Sequence, residues 1–351
     1  MYRRLFLKFL SALAIAACAR NVRRQEPRHR PYPTREVRFR APAGELSGEL
    51  VLPNGPEPFP AVLLLAGSGA LDRDETVAGH RPFLVLSDAL ARAGIASLRY
   101  DKRGTGKSAG DFAGATITDF SRDAGAAFDW FAAQPEINAA RIAMLGHSEG
   151  GLTAALAARG RDVAALVSMA GPGAPMDRII RRQSAALAQR SGADQTELAV
   201  LDRALVGAFD ALRAAPDAVQ ARPGIVAALT DLPGPVRRNF LGILATPWGH
   251  DAIRHDPPAV LAAYPNPMLA LFGGTDVQVD AIENAAALQR IAVSRPMAAP
   301  LEVVIFEGLN HLFQRSQSGA PGEYGRIETT VEPEVLGKII QFLDSDMGLH
   351  H

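Results

Sequence analysis

The sequence predicts an α/β fold in which a mostly parallel central sheet carries helices on both faces and one helical insertion. Short apolar runs of strand length alternate with segments of helical periodicity over most of the chain, which is typical of parallel sheets covered by helices. Between Gly173 and Tyr264 this alternation stops and helical patterns follow one another. A chain of 351 residues can bury one large core, so we expect a single α/β domain with an insertion.

The predicted elements follow in order along the chain. Residues 37–39 and 45–52 are expected to form an antiparallel leading pair. Apolar runs predict strands at 60–66, 95–100, 141–145, 163–169, 267–272 and 301–306, and helical periodicity predicts helices at 83–93, 118–133, 151–158 and 336–343. Two further helices, 176–190 and 196–214, fall in the insertion. We expect residues 174–264 to form a helical cap that shapes a substrate pocket, with a purely structural insertion as the alternative.

The segment Gly146-His147-Ser148-Glu149-Gly150 fits the pattern G-x-S-x-G and lies between a predicted strand and an Ala/Leu-rich helix. A serine at such a strand-to-helix turn has its hydroxyl pushed into the open, and the flanking glycines avoid collisions that a Cβ would make. The context therefore predicts Ser148 as a nucleophile.

A serine hydroxyl needs a base, and the base needs an acid to orient it. In α/β-hydrolases these groups follow the serine in the order acid, then histidine. Asp276 comes after an apolar strand and a Gly-Gly turn, and we predict it as the acid; Asp280 and Glu283 are alternatives expected on the following helix. His311 follows the next strand and is the predicted base. His250 and His255 precede Asp276, and His350 and His351 end the chain, where fraying is common.

An oxyanion needs two backbone N–H donors. The residue after the nucleophile, Glu149, is expected to supply one. The loop Gly67-Ser68-Gly69, which follows an early strand, is expected to supply the other through Ser68.

No cofactor or metal is predicted. The run Gly106-Lys107-Ser108 resembles the end of a P-loop, but Asp101 stands where the first glycine should be. Asp101 and Arg103 are interpreted instead as charges that brace loops. The run 72–75, Asp-Arg-Asp-Glu, has no companion histidines at ligand spacing and is interpreted as a loop held by ion pairs. Lys+Arg and Asp+Glu both number 37, and this balance argues against a nucleic-acid partner.

These motifs together resemble bacterial serine esterases of the α/β-hydrolase superfamily, close to the EstD-type, serine aminopeptidase-like group. The resemblance begins near Glu36 and rests on segments 67–75, 99–104, 146–151 and 308–314. It implies an α/β-hydrolase fold and hydrolysis of short-chain acyl esters by Ser148, Asp276 and His311. An amidase or aminopeptidase with the same triad is an alternative. A non-catalytic binding module is a second alternative.

The N-terminus predicts export. Arg3-Arg4-Leu5-Phe6-Leu7-Lys8 matches a twin-arginine signal, and the apolar stretch after it suits a signal h-region. Cys18 ends a lipobox-like run, which predicts a lipid anchor at the cell envelope; cleavage after Ala19 is the alternative.

The predicted division is an export signal at 1–19, a basic, Pro-rich extended linker at 20–35, a catalytic domain at 36–173 and 265–351, and the cap at 174–264. The predicted partner is a small-molecule ester.

Overall fold

The computed structural model describes residues 25–297 and 299–347. The predicted export signal, with Cys18, lies outside the described residues, as do His350 and His351. Within the described ranges, no helix combines the length and the apolar character needed to cross a bilayer.

The described strands form one sheet. They are β1 (Thr34–Ala41), β2 (Gly44–Val51), β3 (Phe59–Leu65), β4 (Ala96–Tyr100), β5 (Ile137–His147), β6 (Leu166–Met169), β7 (Met268–Gly273) and β8 (Leu301–Phe306). Their spatial order is β1-β2-β4-β3-β5-β6-β7-β8. β1 pairs with β2, and β2 with β4, in antiparallel fashion, whereas all pairs from β4 through β8 are parallel. The mostly parallel sheet predicted from the sequence is confirmed.

Helices cover both faces of the sheet, as predicted. The helices of the main domain are α1 (Pro82–Arg92), α2 (Ile117–Ala132), α3 (Glu149–Ala157), α10 (Ala281–Val293) and α11 (Pro333–Met347). Side chains alternate between the faces along each strand. In β3, Leu63 and Leu65 belong to the same hydrophobic cluster as side chains of α2, α3 and α10, while Val62 and Leu64 belong to the cluster that includes side chains of α1 and α11. Burial on both faces explains why the central strands are continuous apolar runs.

The insertion contains α4 (Met176–Arg190), α5 (Gln195–Ala214), α6 (Ala218–Ala228), α7 (Gly234–Leu244), α8 (Pro247–Ala252) and α9 (Pro257–Ala262). Its helices do not all pack in the same way. Apolar side chains between Ala188 and Leu244 form a hydrophobic core of their own. In contrast, Ala252, Val260 and Leu261 belong to the core of the main domain. The separately packed part of the insertion is thus narrower than residues 174–264.

The described part of the predicted linker, from Gln25 onward, lies against the main domain, and residues 34 and 35 of that predicted linker belong instead to β1, because they pair with β2. Gln25 Oε1 accepts hydrogen bonds from the backbone N–H groups of Thr330 and Val331, each at 2.9 Å. Glu26 pairs with Arg81 at 2.5 Å and is buried. The local Arg- and Pro-rich composition could not reveal this docking, because every partner lies far away in sequence.

Candidate active site

Four loops meet at one edge of the sheet. The carboxyl ends of parallel strands lie at the same edge, which is where α/β proteins place their sites. β3 is followed by Gly67, β5 by Ser148, β7 by Asp276 and β8 by His311. The candidate site residues from distant parts of the chain therefore lie on neighbouring loops.

Ser148 has a strained backbone at the turn between β5 and α3, which we call the serine turn. Its φ is +53° and its ψ is −124°, which L-residues rarely adopt. A Cβ added at Gly146 would lie 2.0 Å from the backbone oxygen of Gly150, and one at Gly150 would lie 2.1 Å from that of Leu65. Both positions therefore require glycine. Ser148 itself remains partly exposed.

Asp276 and His311 are directly bonded. Asp276 Oδ2 lies 2.7 Å from His311 Nδ1, and their side chains are 0% and 6% exposed. Asp276 Oδ1 accepts from the backbone N–H groups of Gln278 and Val279 at 2.7 and 3.1 Å. A carboxylate that accepts at both oxygens fixes the proton on Nδ1, so that His311 Nε2 presents its lone pair.

The alternative acids and histidines occupy other places. Asp280 caps the N-terminus of α10 and binds Arg182, and Glu283 lies within α10. His250 bonds to the backbone oxygen of Ala215 in the insertion. His255 bonds to Asp251. Among the described residues, His311 is therefore the histidine bonded to Asp276.

A second acid–histidine pair lies beneath the first. His147 Nδ1 is 2.9 Å from Glu75 Oε1, and His147 Nε2 is 2.8 Å from the backbone oxygen of His311. Burial alone would lower the pKa of His147, but the charge and hydrogen bond of Glu75 outweigh it and raise this pKa. This pair could not be predicted from the sequence, because no spacing pattern connects residues 72 positions apart.

The loop after β3 passes beside Ser148. A Cβ added at Gly67 would lie 3.1 Å from Ser148 Cβ. The Gly67 N–H donates to Glu75 Oε1 at 2.7 Å. Among the described residues, no hydrogen-bond acceptor takes the backbone N–H of Ser68 or of Glu149, the two predicted oxyanion donors.

The Glu149 carboxylate connects the turn between β5 and α3 to three other segments. It accepts from Lys102 Nζ at 3.0 Å, from Ser68 Oγ at 3.3 Å and from Trp248 Nε1 of α8 at 2.5 Å. Lys102 Nζ also donates to the backbone oxygen of Gly67 and lies 3.9 Å from the centre of the Phe120 ring. Lys102 lies in segment 99–104, on which the resemblance rests, but the sequence assigned a role to neither Lys102 nor Trp248, because both contacts with Glu149 join segments far apart in sequence.

Ion pairs hold the loop after β3 in place, as the sequence analysis interpreted it. Arg73 donates to both carboxylate oxygens of Asp101, at 3.2 and 3.0 Å. Burial tends to raise the pKa of Asp101, but bonds from Arg73 and from the Lys107 backbone lower it. Arg99, 2% exposed, binds Asp74. Arg103 binds Asp123 at 2.6 Å.

Comparison with known proteins gives concordant results. The family model of the X-Pro dipeptidyl-peptidase (S15 family) matches residues 44–238. Esterase EstD of Thermotoga maritima is 25% identical over 294 residues, a stretch that covers 83% of this chain and 64% of that protein. The chain thus spans just under two thirds of the length of this curated relative.

Solved structures share the fold. The Pyrococcus furiosus esterase Pf2001 superposes with a TM-score of 0.57 at 17% identity, covering 90% of this chain and 92% of that one. The α/β-hydrolase GrgF from a Penicillium species superposes with a TM-score of 0.55 at 20% identity, covering 90% of this chain and 100% of that one. The α/β-hydrolase fold predicted from the sequence is confirmed.

Proposed function

This chain belongs to the X-Pro dipeptidyl-peptidase (S15) family, and we propose that it is a serine hydrolase that cleaves short-chain carboxylic esters. The observation that carries the proposal is the double attachment of His311. Its ring bonds to Asp276, and its backbone oxygen bonds to His147, the residue before Ser148. A base oriented by an acid is thereby held on a loop that adjoins the serine turn.

In the proposed reaction, His311 Nε2 removes the proton of the Ser148 hydroxyl as its oxygen attacks the ester carbonyl. The resulting imidazolium is stabilised by Asp276 and gives its proton to the departing alcohol. An acyl-enzyme remains. Water then attacks the acyl carbon with His311 again as the base, which releases the acid and restores the serine.

The backbone N–H groups of Ser68 and Glu149 are the proposed oxyanion donors. The loop after β3 lies against the Ser148 side chain, and the Gly67 N–H is already bonded to Glu75. This leaves the next N–H along the loop, that of Ser68, for the substrate. A single donor of this kind is worth about 10²–10³ in kcat.

Ester cleavage is favoured over the alternative, removal of N-terminal residues from peptides. An aminopeptidase needs an anionic group for the α-amino group of its substrate. The carboxylates of Glu75, Glu149 and Asp276 around Ser148 are all buried, and each already bonds to groups of this protein through at least one oxygen. Glu75 Oε2, which has no partner among the described residues, is itself closed off from solvent. The EstD relative, named as an esterase, supports the same choice. Comparing turnover of aryl esters with that of aminoacyl anilides separates the two activities.

The insertion is proposed to act as a cap over the substrate. Trp248 of α8 bonds to Glu149, whose own N–H is a proposed oxyanion donor. Through α8, the helix of the insertion that packs on the core of the main domain, the insertion is therefore tied to the turn after β5 by a partly buried hydrogen bond. A purely structural insertion would need no such link.

The decisive experiment compares Ser148→Ala with the unaltered protein on p-nitrophenyl acetate and butyrate. We expect Ser148→Ala to lose turnover and labelling by a fluorophosphonate while keeping the same unfolding temperature. Ser294→Ala, at the exposed end of α10, is the matched control and should retain full activity. Turnover that survives in Ser148→Ala would refute the assignment. An unaltered protein that neither turns over ester nor reacts with the probe would point to a binding module.

Export through the twin-arginine route and lipidation at Cys18 also belong to this proposal. Their support is the sequence of the N-terminal segment. Cell fractionation tests them: replacing Arg3 and Arg4 by lysine should keep the protein in the cytoplasm, and Cys18→Ala should release it from membranes. Unchanged distribution of either variant would contradict the corresponding step.

A further inference from the structure

One buried carboxylate and one buried imidazole lie between three loops of the site. Glu75 Oε1 accepts from the Gly67 N–H at 2.7 Å and lies 2.9 Å from His147 Nδ1. His147 Nε2 lies 2.8 Å from the backbone oxygen of His311. The side chains of Glu75 and His147 are 2% and 7% exposed. A continuous hydrogen-bonded chain thus runs from the loop after β3, through the serine turn, to the loop after β8.

The groups at the two ends of this hydrogen-bonded series determine how many hydrogens Glu75 and His147 carry together. The His311 backbone oxygen can only accept, so His147 Nε2 must carry a hydrogen. The contact between His147 Nδ1 and Glu75 Oε1 needs one hydrogen as well. The pair therefore holds two hydrogens in total and is neutral overall, whichever atom keeps the shared one. A neutral imidazole alone could not donate in both directions.

The backbone is strained in order to hold the carboxylate there. Glu75 has a φ of +54°, a left-handed conformation that non-glycine residues rarely adopt. Strain of this kind persists only where surrounding contacts compensate it. Glu75 makes its contacts to the serine turn and to the loop after β3.

We propose that Glu75 and His147 are a positioning pair, which by sharing a proton holds the His311 backbone and the loop after β3 against the serine turn. The inference rests on the proposed hydrolase function and adds two residues to it. Neither side chain touches the reacting atoms in this proposal. They act through Gly67, whose neighbour Ser68 is a proposed oxyanion donor, and through the backbone of His311.

The test replaces Glu75 by glutamine, which keeps the shape of the side chain and removes its charge. In Glu75→Gln a neutral His147 donates from one nitrogen only, so either the bond to His311 or the bond from Gly67 is lost. We expect kcat to fall about 10- to 100-fold, as for a reacting group displaced by about 1 Å, with KM changed less than about threefold. Asp72→Asn is the matched control in the same loop: its carboxylate bonds only to Thr76 and is partly exposed, and its activity should be unchanged.

The pH dependence distinguishes positioning from a general structural defect. Protonating His147 in Glu75→Gln restores both of its donors. The ratio of unaltered to variant kcat should therefore be smaller near pH 6 than near pH 8. The titratable groups facing His147 are Glu75, His311 and Asp276; taking the ratio at each pH compares the two proteins under identical conditions. An unchanged kcat, or a deficit independent of pH, would overturn the proposal.

Two further measurements keep the test decisive. Because the pair acts as one unit, Glu75→Gln combined with His147→Asn should lose no more kcat than the worse single variant, whereas multiplying losses would contradict the proposal. In the full chain labelled with ¹⁵N-histidine, the buried rings of His80 and His311 should also give protected imidazole N–H signals, so the signal of His147 is the one that is present near pH 7 and disappears in His147→Asn. This signal requires no ester turnover, so it separates failure of the pair from failure of the proposed function, and its absence from the unaltered protein would refute the pair even if Glu75→Gln did not fold.

Discussion

His311 Nδ1 lies 2.7 Å from Oδ2 of Asp276, a carboxylate whose side chain is completely buried. The second carboxylate oxygen is held by the backbone N–H groups of residues 278 and 279. The carboxylate is thus unable to rotate freely, and it determines both the orientation of the imidazole and the nitrogen that carries its proton.

Asp276→Asn is expected to abolish most activity. The amide can offer its N–H to His311, which would favour the wrong tautomer, and kcat should fall by about 10⁴ with little change in stability. Steady-state kinetics on p-nitrophenyl butyrate measures the effect. Asp280→Asn, four residues further on at the start of α10, is the control and should keep kcat within about twofold. Equal losses in both variants would argue against Asp276 as the acid.

Trp248→Phe tests the link between the insertion and the serine turn. The substitution removes the indole N–H that donates to Glu149 and keeps an aromatic ring in place. A hydrogen bond to a charged group contributes about 1.5–3 kcal/mol, so kcat/KM should fall about 10- to 100-fold if the bond holds the oxyanion donors. Trp130 of α2 stacks on Phe39 of β1, away from the serine turn, and Trp130→Phe should leave kcat/KM unchanged. A purely structural insertion predicts no difference between the two variants in kcat/KM.

Gly146→Ala should prevent folding. The added Cβ would lie 2.0 Å from a backbone oxygen of α3, which cannot move without breaking the serine turn, and we expect a loss of at least about 3 kcal/mol. Gly242→Ala in α7 is the opposite case, since its Cβ would meet nothing within 4 Å. That variant should gain about 0.5–1 kcal/mol from the higher helix propensity of alanine. Urea unfolding or soluble yield distinguishes the two; a stable, soluble Gly146→Ala protein would disprove the described turn.

The buried His147 should make stability depend on pH above neutrality. Burial opposes its charge, but Glu75 outweighs burial and raises the folded-state pKa above the ordinary value of about 6.5. Its stabilising contribution is therefore complete below about pH 6.5 and is lost as the pH rises through the folded-state pKa. Urea unfolding from pH 6 to pH 9 should show the unaltered protein losing its advantage over His147→Gln. A constant difference between the two proteins would contradict the raised pKa.

Local sequence patterns predicted the strands of the sheet, the serine turn and the candidate acid and base. The burial of parallel strands on both faces produces uninterrupted apolar runs, so the strands were recognisable without neighbours. The serine turn has no room for a Cβ at positions 146 and 150, so glycine must stand at both, and this pattern can be recognised from the sequence alone. Asp276 and His311 were predicted as candidate acid and base because each follows a strand that ends at the same sheet edge.

The residues that were missed lack such a local cause. Lys102 and Trp248 bind Glu149 from separate segments, and nothing near either residue in sequence indicates that partner. Glu75 was placed correctly in a loop held by ion pairs, but its bond to His147 depends on how that loop folds back over the serine turn. The hydrogen bonds between Gln25 and residues 330 and 331 likewise depend on how distant segments of the chain come together.

The sequence by itself determined the strand and helix order, the serine turn and the candidates for acid and base, because each depends on periodicity or on steric demands within a few residues. Only the tertiary structure decided which buried charges meet: the pairing of Glu75 with His147, of Glu149 with Lys102, and the attachment of the insertion through Trp248. A buried polar group must find a partner, but its partner is set by the three-dimensional path of the chain, which local sequence does not encode.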